Sequence, residues 1–257
     1  MTAVGFLTDT TLCIGCKACE VACKQWNGLP MDEVGLTGFS YDNTVDLGAA
    51  TWRHVAFIEQ GPSTGDHPTA WLMMSDVCKH CVRAGCLEAC PTGAIIRTEF
   101  DTVVIQQDIC NGCGYCIPAC PFGVPQLSHA DGRAKKCTLC YDRLVDGLEP
   151  ACAKACPTDS ILFGPVDEMK KRAEQRVVDL KARGVDGAHI YGTEEVGGTG
   201  GINGLNALFV LTAPPETYNL PAQPTLPQER TLPAFLTTAA AAIGLGLAVA
   251  RAFGRAR

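Results

Sequence analysis

The sequence predicts an α+β fold: two similar halves made of short elements and loops, then one terminal apolar helix. Three observations predict it. The sixteen cysteines fall into four motifs of four. Alternating apolar runs bounded by Gly, Pro and Asp lie between the motifs, as the strands of hairpins do. Near the end, Ala234–Ala250 runs seventeen residues without a charge.

The run that organises the chain is Cys110–Pro121, CNGCGYCIPACP, spaced C-x2-C-x2-C-x3-C-P. Cys110, Cys113 and Cys116 sit on one tight loop, so three thiolates can wrap one cubane. Cys120 falls on the next turn and does not close on the same cluster. This spacing holds [4Fe–4S] clusters in bacterial ferredoxins, where the fourth cysteine ligates the other cluster of a pair. A partner motif is therefore required, and the chain has three more. Cys13, Cys16, Cys19 and Cys23 repeat the spacing, with Lys24 in the place of proline. Cys78, Cys81, Cys86 and Cys90 read C-x2-C-x4-C-x3-C-P, and Cys137, Cys140, Cys152 and Cys156 read C-x2-C-x11-C-x3-C-P. Four motifs of four ligands suit four [4Fe–4S] clusters, with no cysteine left over.

Competing chemistries fit less well. Zinc pairs two C-x2-C knuckles around one tetrahedral ion. Three cysteines in seven residues and a fourth before proline do not. Thiols three residues apart on a tight loop miss the separations and dihedrals a disulfide needs. Cysteine also stays below the ~8–10% that marks a disulfide scaffold. No C-x-x-C is followed by His, which excludes c-type haem attachment. Formal net charge is −6, from 21 basic and 27 acidic residues. That balance and the lack of a binding motif argue against nucleic acid. The start, MTAVGFLTDTTLC, has no twin arginine and no apolar signal core, which alone suggests the cytoplasm.

In chain order, residues 25–50 read as irregular. Trp52–Ile58 and Trp71–Met74 flank the loop GPSTGDHP (61–68) as a hairpin, with His54 a packed strand residue. His80, inside the second motif, reads as a neighbour of that motif's cluster or a solvent-facing residue, because four cysteines already fill the site. Ile95–Ile96 and Val103–Ile105 bracket a polar turn between the second and third motifs, which is the ferredoxin order of motif, hairpin, motif. CPTDSI (156–161) echoes CPTGAI (90–95). The fold class expected is two ferredoxin-like [4Fe–4S] modules in a pseudo-twofold arrangement, followed by a C-terminal transmembrane helix. Motifs two and three are close in sequence and share the hairpin, which leaves one and four to pair around them. Spacing alone also permits one with two and three with four.

Under the nested pairing the ligand sets are Cys13, Cys16, Cys19 with Cys156; Cys137, Cys140, Cys152 with Cys23; Cys78, Cys81, Cys86 with Cys120; and Cys110, Cys113, Cys116 with Cys90. The four-cluster region spans 1–165. A helix–strand extension follows at 166–212, where Met169, Ala173, Val177 and Leu180 form a helical stripe and Lys170-Lys171-Arg172 a solvated face. GGTGGING (197–204) lacks a G-x-G-x-x-G match and reads as a flexible turn. Residues 213–233, with six prolines, read as an extended linker. The anchor, 234–250, is about 25 Å long at ~1.5 Å per residue, the short end for a bilayer span. Ala240, Gly244 and Ala248 make a small-residue ridge suited to packing on another membrane helix. Arg251, Arg255 and Arg257 follow, which puts this end in the cytoplasm and the cluster region outside.

These motifs, their order and the tail closely resemble the iron–sulfur (beta) subunit of membrane-bound respiratory formate dehydrogenases, within the wider four-cluster subunits of molybdopterin oxidoreductases. The matching stretches are 5–27, 52–60, 78–95, 110–125 and 136–144, over nearly the whole chain. The resemblance implies a large molybdenum or tungsten catalytic subunit that oxidises formate, and a membrane cytochrome b partner that passes electrons to quinone. It implies the nested cluster pairing. It also implies export of the folded chain with the catalytic subunit, placing the globular part on the outer, periplasmic face. The chain itself shows no organised catalytic residues, so it is expected to conduct electrons and not to catalyse. Lys17, Lys24, Lys79, Lys136 and Lys154 adjoin cluster cysteines and are candidates to favour the reduced state. The other readings are an equivalent subunit serving nitrate, a sulfoxide or a sulfur oxyanion, and a free soluble polyferredoxin.

Overall fold

The computed structural model describes residues 2–31, 38, 41, 44–60, 70–193 and 203–254. The loop 61–69, residues 197–202 of the glycine-rich stretch, parts of 25–50, Arg255 and Arg257 lie outside the described residues.

The elements follow in the order β1 (Val4–Asp9), α1 (Ala18–Asn27), β2 (Arg53–Gln60), β3 (Ala70–Val77), α2 (Gly85–Glu88), β4 (Ile95–Arg97), β5 (Val103–Ile105), β6 (Gln126–Leu127) and β7 (Ala134–Lys135). Then come α3 (Tyr141–Val145), α4 (Ala151–Lys154), β8 (Ile161–Pro165), α5 (Val166–Ala182), β9 (His189–Tyr191), β10 (Ala207–Leu211), a 3-10 turn Pro215–Tyr218 and α6 (Pro227–Gly254). The mixture of short strands and helices is the α+β class expected.

A four-stranded sheet in the order β8-β1-β10-β9 joins the first strand to strands from residues 161–211. β1 runs parallel to β10 and antiparallel to β8. Alternation sets what each face buries. Leu7, Leu208 and Val210 face Met169, Ala173 and Leu180 of α5, with Val177 at the margin. Those are the helical-stripe residues the periodicity selects. Phe6 and Phe209 point the other way, into a cluster that includes Cys19, Cys78, Cys137 and Cys152. One sheet thus separates a packed helix from the cysteine-bearing loops. The remaining pairs, β2–β3, β4–β5 and β6–β7, are two-stranded antiparallel ribbons. The first two are the expected hairpins.

Two expectations need correction. Residues 166–212 do not form an appended extension: β10 lies inside the sheet beside β1, and all its residues are buried. Residues 213–233 are not a free extended linker. Tyr218, Leu220 and Leu226 are buried, and the Tyr191 hydroxyl donates to the Pro221 carbonyl at 2.7 Å. The segment is strapped down because its apolar side chains reach the core between the prolines. The terminal helix accordingly starts at Pro227 and not at residue 234, with Pro233 inside it. Proline suits a first helical position, where its missing N–H has no partner to lose.

α6 is long and apolar enough to cross a membrane over Pro227–Arg251, and none of its apolar window is buried against the rest of the chain. Its root is fixed by an ion pair from Arg83 to Glu229 and by the Gln228 amide donating to the Gly85 carbonyl at 3.4 Å.

Gly5 shows how tightly the central strands meet, since a Cβ there would lie 1.9 Å from the Asn206 carbonyl oxygen. Gly5→Ala should therefore cost at least about 3 kcal/mol. Gly164→Ala, opposite it in the ladder, would meet only the Met169 methyl at 3.1 Å and should cost less than about 1.5 kcal/mol. Urea unfolding midpoints at unchanged slope measure both.

Candidate metal centre

Each motif begins on a loop; the first ends inside α1, the second and fourth pass through the four-residue helices α2 and α4, and the third runs through a turn, so each fourth cysteine is carried away from the first three. The structure brings the sulfurs together in the nested sets. One small cleft, site I, is walled by Cys13, Cys16, Cys19 and Cys156, with Ser75 and Ser160 beside them. At site II, Cys23 of α1 stands among Cys137, Cys140 and Cys152, close enough that Cys152 and Cys140 raise its pKa. α1 and α4 pack on each other to make this junction. Site III is walled by Cys78, Cys81, Cys86 and Cys120, with Lys79, His80 and Lys136. Site IV is walled by Cys90, Cys110, Cys113 and Cys116.

The four sites form a row. Cys152 of site II acts on Cys19 of site I, Cys78 of site III on Cys137 of site II, and Cys116 of site IV on Cys86 of site III. The order is I–II–III–IV. All four cysteines of site II are buried, whereas Cys16 of site I and Cys113 of site IV are exposed. The row therefore reaches the surface at both ends.

Burial dominates the chemistry of these thiols. It lifts Cys19 to about 11, against the opposing pull of Arg53 and the Ser75 hydroxyl. It lifts Cys86 to about 12, countered by Lys136, and Cys116 to about 11. Cys81 and Cys137 are driven well above a free thiol by burial and then by neighbouring cysteines. Cys90 goes the other way. Burial raises it, but the Thr92 hydroxyl and the amides of Ile95, Thr92 and Ala94 together outweigh burial. Thiols so disfavoured as free anions become thiolates where a metal centre supplies positive charge.

The surrounding polar groups fit an anionic iron–sulfur cluster. His80 borders site III. Its Nδ1 accepts from the Val103 N–H at 3.0 Å, so the ring proton sits on Nε2. Burial keeps the ring neutral, with Lys136 and Arg97 adding to the effect. Nε2 is buried without a partner among the described residues. A cluster's sulfur atoms would accept from such a donor, and donors of this kind tune a centre's potential.

Of the five lysines singled out in the sequence, two are buried beside sulfur. Lys79, 1% exposed, pairs with Asp76. Lys136 donates to the Val103 carbonyl and, at 3.0 Å, to the Cys137 carbonyl. Lys154 is largely exposed. Sequence reasoning missed Arg53. Its guanidinium donates to Cys152 Sγ at 3.3 Å and it is 1% exposed. A charged residue at an otherwise apolar strand start was the available signal. His54 is a buried strand residue, bonded to the Thr44 hydroxyl at 2.8 Å.

This fold, with four sulfur-walled sites in a row, defines a multi-cluster electron-transfer protein. The comparisons agree. Two models described as "4Fe-4S dicluster domain" match residues 69–166 and 12–94. The chain is 47% identical to the iron–sulfur subunit of the nitrate-inducible formate dehydrogenase of Escherichia coli K12, over 86% of this chain and 73% of that protein. It is 45% identical to the formate dehydrogenase iron–sulfur subunit of Haemophilus influenzae, over 93% and 75%. It is 35% identical to a chain of the anaerobic dimethyl sulfoxide reductase of Escherichia coli K12, over 66% and 78%. The chain therefore belongs to the family of formate dehydrogenase iron–sulfur subunits. It is an electron-transfer subunit and not a catalytic one, with two dicluster domains for four [4Fe–4S] clusters.

Gly15 turns the first loop at φ +67°, and a Cβ there would lie 2.7 Å from Phe57 and 2.9 Å from Met73. Gly15→Ala should spoil site I alone. Iron per chain should fall by about four atoms, one cubane, and the loss is counted by metal analysis against protein.

Proposed function

We propose that this chain carries electrons from a large molybdenum- or tungsten-pterin subunit that oxidises formate to a membrane cytochrome b subunit and quinone. The observation that supports it most is the row of four sulfur-walled sites, buried in the middle and reaching the surface at each end. A [4Fe–4S] cluster supplies one-electron storage at each site. The chain's residues fix the spacing, keep water from the inner sites and supply charge and N–H donors to the sulfurs. The ligand sets are the four nested ones, and the two modules are related by a pseudo-twofold axis.

The polarity of the row follows from where the terminal helix is rooted. Arg83–Glu229, Gln228–Gly85 and Leu226 beside Gly85 tie the start of α6 to the loop between Cys81 and Cys86 of site III. Sites III and IV thus lie toward the membrane and serve the cytochrome. Site I, with Leu12, Ile14 and Val21 exposed around it, receives the catalytic subunit. In the bilayer, Ala240, Gly244 and Ala248 are exposed on α6 and pack on the cytochrome. Arg251, Arg255 and Arg257 hold that end in the cytoplasm, so the globular part lies on the periplasmic face. The chain is exported folded with the catalytic subunit.

Two measurements test this reading. In the gently solubilised, anaerobic complex, formate should bleach the cluster absorbance while a large subunit co-purifies. Bleaching by dithionite but not by formate sinks the substrate assignment, and reoxidation of the dithionite-reduced clusters by a sulfoxide instead moves it toward the sulfoxide reductase relative. The pairing is tested by single serine substitutions. Cys13→Ser and Cys156→Ser should abolish the same electron paramagnetic resonance signal, and Cys23→Ser a different one. Loss of one signal by Cys13→Ser and Cys23→Ser together would overturn the nested sets.

A further inference from the structure

Arg53 is buried between two metal sites with no carboxylate to pair with among the described residues. Its Nη2 donates to Cys152 Sγ of site II at 3.3 Å. Its Nη1 donates to the Ser75 carbonyl at 3.2 Å and approaches the Ser75 hydroxyl at 3.4 Å. That hydroxyl lies 3.2 Å from Cys19 Sγ of site I. The guanidinium also stands 4.7 Å over the Phe6 ring, in the sheet's inner face. Its Nε is buried without a partner among the described residues. Taking a cation out of water to this depth costs several kcal/mol unless an anion repays it. The anions that would repay it are metal-bound sulfurs, Cys152 of site II in direct contact and Cys19 of site I through the Ser75 hydroxyl. A guanidinium stays charged at any working pH, so this charge is fixed.

We propose that Arg53 is a positioning residue shared by sites I and II, whose permanent charge raises the reduction potential of both. The proposal rests on the ligand sets given above. Reduction adds one electron to a site, and no bond forms or breaks. The nearby cation stabilises the more negative state at either site. Its attraction for an electron at each site also offsets the repulsion between electrons held at both, which favours double reduction of the first span of the row. Lys136 is placed between sites II and III, where Cys78, Cys86 and Cys137 act on it. Its ammonium, unlike the Arg53 guanidinium, is bonded to two backbone carbonyls. At site III Arg53 acts only as the weakest of the charges on His80, so sites III and IV should respond least when Arg53 is changed.

The test is a redox titration of the full complex, followed by electron paramagnetic resonance, with iron content measured on the same samples. In Arg53→Met two of the four midpoints should fall together. At a fixed poise the reduced-to-oxidised ratio at each should drop at least about tenfold, the least expected for losing one charge at this range. The other two midpoints should hold, and Arg53→Lys should restore the pair. Four loaded clusters with unmoved midpoints, or all four moving alike, overturn the proposal. Loss of clusters in both Arg53→Met and Arg53→Gln would reduce Arg53 to a brace and also overturns it. Fewer than four clusters in the unmutated protein would instead overturn the ligand sets, and this proposal with them.

Discussion

Gathering sixteen sulfur ligands inside a chain of 257 residues is above all an electrostatic problem. Thiolates repel one another and resist leaving water, and burial here pushes most of the affected thiols upward. The fold answers with positive charge and with N–H donors turned inward. Arg53, Lys79 and Lys136 are all buried, which is rare for such residues. Arg53 bonds Cys152 of site II, and Lys79 and Lys136 line site III. The metal itself completes the balance. The interior is therefore organised by charge pairing as much as by apolar contact.

The apolar packing and the metal sites share one scaffold. The strands at the centre of the sheet alternate, so Leu7, Leu208 and Val210 bind the long surface helix. Phe6 and Phe209 face the sulfur-bearing loops. Phe6 is also the ring beneath the Arg53 guanidinium. Displacing that strand would thus disturb both the hydrophobic layer and the charge that serves two sites.

The sequence was most informative where chemistry is local. A cysteine spacing of two, two and three fits a loop around a cubane whatever surrounds it, so all four motifs and the intervening hairpins could be read directly. The helical stripe Met169, Ala173, Val177 and Leu180 was equally plain, since periodicity needs no partner. Pairings between distant segments were not legible. Phe6 opposite Ala207 joins positions about two hundred residues apart in sequence, and no local pattern encodes a parallel neighbour. The prolines of 213–233 indicate an extended linker because proline signals extension. Tyr218, Leu220 and Leu226 between them carried the opposite message. Arg53 was hidden because a strand-edge arginine usually faces water, and only the packing of β2 against the sulfur-bearing elements turns it inward.

The nesting of the ligand sets has a bearing on how the protein is made. Sites III and IV draw every sulfur from residues 78–120, so their ligands have all left the ribosome while the rest of the chain is still being synthesised. Sites I and II take sulfurs from both residues 13–23 and residues 137–156. The parallel strand that closes their sheet arrives later still, at Ala207–Leu211. Biogenesis is therefore asymmetric. The half that holds sites III and IV can be assembled early around a contiguous segment. The half that holds sites I and II is finished only when the segment around β1 and α1 has met residues 137–156 and the strand Ala207–Leu211.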